Sequence, residues 1–261
     1  MRASVIALLF ISIFVSCGPS DSDRANFYNR IADEKLKQSD TLMALTYYDS
    51  TKMIVKAVAQ VKMAKQKQYA IYNDLKGKLA ARLDSNKVQI QKLEKQFVRS
   101  KGDFDRYYQY THKRQTFDRA WDRSFIRIYL DERGEIYLSS NYYGEQWLNH
   151  TGLRVYDGKL QAKTAKVALD DPNNHRSEFD KGKWEKVTYR GDKDNGVIQF
   201  IADNVEKNLK AVFLGKRYYY IILEKFDKEA VRDALALSKA LKAKKKLELQ
   251  MKAYASKMEK L

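Results

Sequence analysis

Between Pro19 and Pro172 the chain contains no proline, and inside that span the spacing of its apolar residues changes from a helical period to a period of two. Proline is kept out of helix interiors and central strands because it lacks the N–H and fixes φ. Its absence therefore permits long elements. Upstream, Phe27, Ile31, Leu42, Leu45 and Tyr48, and then Val58, Val61, Tyr72, Leu75, Leu79, Leu83, Ile90, Leu93 and Phe97, recur at helical intervals. Lys65 and Gln68 interrupt that stripe, which reads as the imperfect heptad seam of a coiled-coil-like bundle. Asp49-Ser50-Thr51 and Asp84-Ser85-Asn86 offer N-cap chemistry as breaks, and Lys101-Gly102-Asp103 a helix end.

From Ser124 apolar and polar residues alternate. FIRIYL and EIYLSSNYY flank Asp131-Glu132-Arg133-Gly134; GLRVY and KLQAK flank Asp157-Gly158; WEKVTYR and VIQFIA flank a loop ending in Asn195-Gly196; LKAVFLG and YYYIILE flank Lys216-Arg217. Each pair reads as a hairpin. The expectation is about eight strands in one antiparallel meander, with residues 168–183 as its longest irregular connection. After Glu224 the helical period returns, with Ala230, Ala234, Leu237 and Leu241 on one face. The fold class is thus α+β: a helical arm over 24–122, an antiparallel β domain over 123–226, and a C-terminal helix over 227–261 that packs back on the N-terminal helices.

The N-terminus reads as an export signal followed by a tether. Arg2 supplies the positive start, Val5 to Val15 is apolar apart from Ser12, and small Ser16 precedes the only cysteine, Cys17. Such a run is shorter than the ~20 residues that span a bilayer. Phe14-Val15-Ser16-Cys17-Gly18 resembles the signal of bacterial lipoproteins, departing from the family's usual leucine at Phe14. The resemblance implies a signal over 1–16, alkylation of the Cys17 thiol by a diacylglyceryl group, acylation of the freed amine, and a lipidated tether over 17–23. In that family an aspartate after the cysteine retains some members in the inner membrane, so Gly18 favours the outer membrane. A lone thiol outside the cell fits lipidation, because unpaired cysteines are uncommon in oxidising compartments.

The formal charge of +17 is concentrated on residues 52–101, where thirteen Lys and Arg face only Asp74, Asp84 and Glu94. In a cytosolic protein that excess would suggest nucleic acid. For an exported chain the expected partners are the membrane through its lipid, anionic envelope components or another envelope protein. A solvated lysine-rich helix face with no specific partner explains the same charge.

No motif of a known catalytic class is present: no Gly-x-Ser-x-Gly, no His-Glu-x-x-His and no phosphate-binding glycine loop. No catalytic residue, cofactor or metal is expected. His112, His150 and His175 fall in separate contexts, and Asp192-Lys193-Asp194-Asn195-Gly196 places its glycine one position early for a calcium loop. The distinctive content is aromatic. Tyr142, Tyr143, Trp147, Trp184, Tyr218 and Tyr220 are the candidate binding surface, although tyrosine and tryptophan also pack sheets. A non-catalytic binding or envelope-structural protein is the leading expectation. An envelope-polymer hydrolase using Asp170, Asp171 and Glu178 of the long loop is one alternative, and a lipid or small-ligand carrier, if the strands close into a barrel, is another.

Overall fold

The computed structural model describes residues 18–103, 105–115, 122–179 and 182–261. Cys17 and the signal segment lie outside the described residues, as do residues 180 and 181 of the long connection. The chain is α+β, with two compact units: unit 1 comprises residues up to 79 together with 251–261, and unit 2 residues 80–250. Among the described residues, no helix is long and apolar enough to cross a membrane.

Unit 1 is helical. Helices α1 (Asp21–Lys37), α2 (Thr41–Lys52) and the first part of α3 (Val58–Glu94) are joined by short turns. α1 starts with a capping box: Ser20 Oγ accepts from Asp23 N, and Asp23 Oδ2 accepts from Ser20 N. Residues 21–23, read as tether, are therefore the first turn of a helix. Asp40 caps α2 by accepting from Met43 N at 3.1 Å. Neither proposed break interrupts a helix: 49–51 close α2, and 84–86 lie inside the 37-residue α3.

The seam of α3 differs from the expected stripe. Val58 is exposed, whereas Ala64, Gln68, Tyr72, Leu79, Leu83 and Ile90 are buried. Gln68 belongs to the seam because its Nε2 donates to Leu45 O and Asp49 Oδ1, at 3.2 and 2.8 Å. A buried amide with such partners costs far less than an unpaired one. Lys67 reaches Asp33 at 2.6 Å, and Tyr48 Oη donates to the same carboxylate at 2.5 Å. The last turns of α5 (Lys225–Glu259) return to this unit, where Tyr254 meets Tyr72 with ring centroids 5.7 Å apart.

Among the described residues, unit 2 holds ten strands in two open antiparallel sheets rather than one meander of eight. These are β1 (Phe97–Ser100), β2 (Gln109–His112), β3 (Phe125–Asp131), β4 (Ile136–Gly144), β5 (Gly152–Tyr156), β6 (Gln161–Lys163), β7 (Asn174–Phe179), β8 (Gly182–Tyr189), β9 (Lys210–Leu214) and β10 (Tyr218–Ile222). The larger sheet runs β1-β2-β3-β4-β8-β7 and the smaller β10-β9-β5-β6. Neither closes into a barrel, so the carrier reading loses its condition.

Three local readings change. Strands β1 and β2 pair within residues read as helical arm, and β7 occupies part of the long connection. Residues 157–160 form a four-residue loop in which Asp157 Oδ1 accepts from Lys159 N and Leu160 N, rather than a two-residue turn. VIQFIA is not a strand but most of helix α4 (Val197–Asp203). Left-handed Gly196, at φ +82, turns the chain into α4, and Val197, Ile198 and Ile201 then bury at helical spacing.

One core joins both sheets to the helices of unit 2. Ile126, Ile128, Leu130, Leu138 and Val187 from the larger sheet, and Leu153, Val155 and Phe213 from the smaller, pack with Ile201 of α4 and Ala230, Ala234 and Leu237 of α5. The alternation of β3 therefore assigns the faces: Ile126, Ile128 and Leu130 turn inward, and Phe125, Arg127 and Tyr129 turn outward.

Candidate functional site

The six aromatics singled out from sequence do not form one surface. Tyr142 faces the core, is buried, and donates from Oη to Gln146 O at 3.0 Å. Tyr219, which was not singled out, packs on it with centroids 5.2 Å apart. Tyr143 and Trp184 sit opposite each other on β4 and β8, on the outer face of the larger sheet, with centroids 4.7 Å apart. Trp147 carries the Lys183 ammonium 5.5 Å from its ring. Tyr218 and Tyr220 project from the exposed side of edge strand β10, 74% and 62% accessible.

The outer face of the larger sheet continues from the Tyr143–Trp184 pair to a polar cleft. Register places Tyr129 opposite Tyr137. Their rings stack at 4.9 Å with planes 6° apart. The Arg190 guanidinium lies 4.0 Å from the Tyr137 centroid and donates to its hydroxyl at 2.7 Å. Beside them opens a cleft of about 700 Å³, lined among others by Gln109, Thr111, Arg106, Tyr107, Arg133 and Arg190. Arg133 forks onto Asp131 at 2.6 and 2.9 Å and covers the Tyr107 ring at 3.9 Å. Its charge is thus already paired, which leaves Arg106 and Arg190 as exposed cationic groups of the lining.

Two neighbouring phenols respond in opposite directions. Burial pushes the Tyr129 hydroxyl up, but the Lys186 ammonium and the Arg127 guanidinium outweigh it and hold the group below its ordinary 10.0. Lys186 Nζ stands 5.0 Å from the Tyr129 centroid. Tyr137 is raised, because burial exceeds the opposing effect of Arg190. The cleft therefore combines tyrosine rings, guanidinium donors and one acidified phenol with the carboxylates of Asp105, Asp131 and Glu135.

Behind this face lies an array for which the sequence carries no spacing signal. Glu185 and Tyr189 come from β8, Ser140 from β4 and His150 from a turn, and all four are within 1% of fully buried. Glu185 Oε1 accepts from Leu148 N and Asn149 N at 2.6 and 2.7 Å; Oε2 accepts from His150 N at 2.9 Å. His150 Nδ1 lies 2.8 Å from Glu185 Oε2, and its Nε2 lies 2.9 Å from Ser140 Oγ. Ser140 Oγ in turn lies 2.8 Å from Tyr189 Oη. A neutral imidazole satisfies the row: Tyr189 donates to Ser140, Ser140 to His150, and His150 to Glu185. Burial pushes the Glu185 carboxyl up, yet the hydrogen bonds from His150 and the backbone outweigh it and hold it below its ordinary value of 4.5.

The connectivity is that of an acyl-transfer triad, but the serine lies at 0% exposure with Tyr189 on its other side. What the array does is join the two sheets. Glu185 of the larger sheet fixes the 148–150 turn, and that turn lies against Gly215 beside β9 and β10, where a Cβ would meet Leu148 O at 2.2 Å.

The remaining sequence candidates stand apart. His112 is buried with Nε2 3.5 Å from Asp233, and His175 is exposed on β7. Among the described residues, no group of three or more His, Cys, Asp or Glu is placed to hold a metal. Asp192 and Asn195 belong to the turn before α4. Asp171 accepts from Lys193 Nζ, Asn173 N and Asn173 Nδ2, which hold its carboxyl at about 2. A carboxyl that acidic is a poor proton donor near neutrality. Glu178 pairs with Lys183, and Asp170 is exposed.

Compared with protein-family models, curated proteins and solved structures, the chain matches none.

Proposed function

We propose that the chain is an exported lipoprotein, held at the outer membrane through Cys17, whose β unit is a non-catalytic module that binds an acidic, hydroxyl-rich component of the cell envelope. The binding reading rests on one observation: the 700 Å³ cleft in which Tyr107, Tyr129 and Tyr137 stand beside the exposed Arg106 and Arg190, with Arg133 paired to Asp131 and with Asp105 and Glu135 also in the lining. Aromatic edges suit sugar rings, and exposed guanidinium groups suit carboxylates or phosphates. The anchor reading rests on the order of residues before Cys17.

Fluorescence titration with alginate, with delipidated lipopolysaccharide and with neutral dextran tests the binding reading. The acidic polymers should bind and dextran should not. Losing one charge-assisted contact in Arg190→Ala or Arg106→Ala should weaken binding about tenfold or more. Failure of both acidic polymers to bind, or variants that bind as tightly as wild type, would remove the cleft from the account.

A second reading, an envelope-polymer hydrolase, has the Ser140–His150–Glu185 connectivity in its favour. Labelling of Ser140 by a fluorophosphonate probe would support it. The binding reading expects none, because the hydroxyl is shut off from solvent.

A further inference from the structure

The turn from α2 to α3 presents three large apolar side chains to solvent: Met53, Val55 and Val58 are 83%, 81% and 72% exposed. Its backbone is nonetheless fixed. Ile54 and Ala57 bury against Ala25 and Tyr28 of α1. Ile54 N donates to Thr51 O and Ala57 N to Ile54 O, each at 3.0 Å. Gln60 Nε2 donates to Ser22 Oγ at 2.8 Å, and Asn29 Nδ2 to Gln60 O at 3.2 Å, which ties the turn to the first turns of α1.

This is the end of the helical unit at which the chain arrives from Cys17. Asp21, Arg24 and Tyr28 line the same hollow of about 500 Å³ as Met53, Val55 and Lys56. Four residue steps separate Cys17 from Asp21, and they span at most about 14 Å. Exposed Lys56 lines this hollow and exposed Lys62 lies one helical turn after Val58, while Arg24 is paired with Asp21 and Asp23 is engaged in the cap. Exposed apolar side chains flanked by lysines match the boundary between acyl chains and anionic headgroups.

We propose that Met53, Val55 and Val58 enter the headgroup boundary of the membrane that holds Cys17, giving the helical unit a second, non-covalent contact with the lipid surface; this rests on the lipid-anchor reading. The contact restricts how the unit can pivot about its three-residue tether.

The test uses the full-length membrane-extracted protein in vesicles of phosphatidylethanolamine and phosphatidylglycerol. Single cysteines at Val55 or, as a control, at Leu42 on the far end of α2 carry an environment-sensitive fluorophore, and wild type labelled in parallel gives the background. The Val55→Cys label should shift to the blue and be quenched by lipids bearing a nitroxide on the acyl chain, while the Leu42→Cys label should do neither. A Val55 label that behaves like the Leu42 label overturns the proposal. So does a shift that appears without vesicles and grows with protein concentration, which would make the turn a self-association surface. Alkynyl fatty-acid labelling of the same samples separates the two readings: an unlabelled Cys17 with a shifted Val55 probe sinks the anchor alone, and a labelled Cys17 with an unshifted probe sinks the turn alone.

Discussion

Glu185→Gln tests the joint between the two sheets. The native carboxylate accepts four hydrogen bonds, two on each oxygen. In the amide, one oxygen becomes an NH₂ group, which must face either the Leu148 and Asn149 amides or the amide and ring N–H of His150. Two contacts are lost whichever way the amide turns, and the other two lose their charge assistance. Charge-assisted hydrogen bonds contribute about 1.5 to 3 kcal/mol each, offset in part by the carboxylate's desolvation. The net loss should be about 3 to 5 kcal/mol, which lowers Tm by roughly 6 to 20 °C for a domain of this size. Urea denaturation followed by near-UV circular dichroism reads it directly. There is also a pH signature. The carboxyl of Glu185 is lowered when folded, so its stabilisation is present above 4.5 and is lost as pH falls through the folded value; the variant should lack that part of the acid limb. A loss below about 1 kcal/mol would refute the joint, because partners this well buried cannot be replaced by water at so small a cost.

Gly215→Ala should destabilise unit 2 by more than about 2 kcal/mol, since its Cβ meets backbone rather than a movable side chain. Gly158→Val has open space around it but a φ of +101, and should cost about 1 to 3 kcal/mol by thermal melting; an unchanged Tm in either variant would contradict the corresponding geometry. Ultraviolet titration should find the Tyr129 phenol ionising below its ordinary 10.0, and Lys186→Met should return it upward. Burial lowers the His112 pKa from 6.5 against the pull of Asp233, so its contribution is present above 6.5 and declines as pH falls below it; His112→Gln should flatten that part of the stability profile.

The helical and strand periods were legible because each rests on one repeated face. Ile126, Ile128 and Leu130 alternate inward as read, and Ala230, Ala234 and Leu237 form the buried stripe of α5. VIQFIA was misread because six consecutive apolar or amide residues fit a buried strand as well as a short helix, and the left-handed Gly196 decided between them. Gln68 looked like an interruption because its partners, Leu45 O and Asp49, lie on another helix. The Ser140–His150–Glu185–Tyr189 row left no trace, since strand register rather than sequence spacing brings its members together. The cleft was legible only as an abundance of tyrosine. Which tyrosines would share a face depended on the pairing of β3 with β4 and of β4 with β8.

The intact mass of the protein extracted from native membranes tests the anchored-protein claim most directly. The account predicts a chain beginning at Cys17, heavier than residues 17–261 alone by one diacylglyceryl group and one further acyl chain. A chain that still begins at Met1, or one whose Cys17 thiol reacts freely with maleimide, would contradict it.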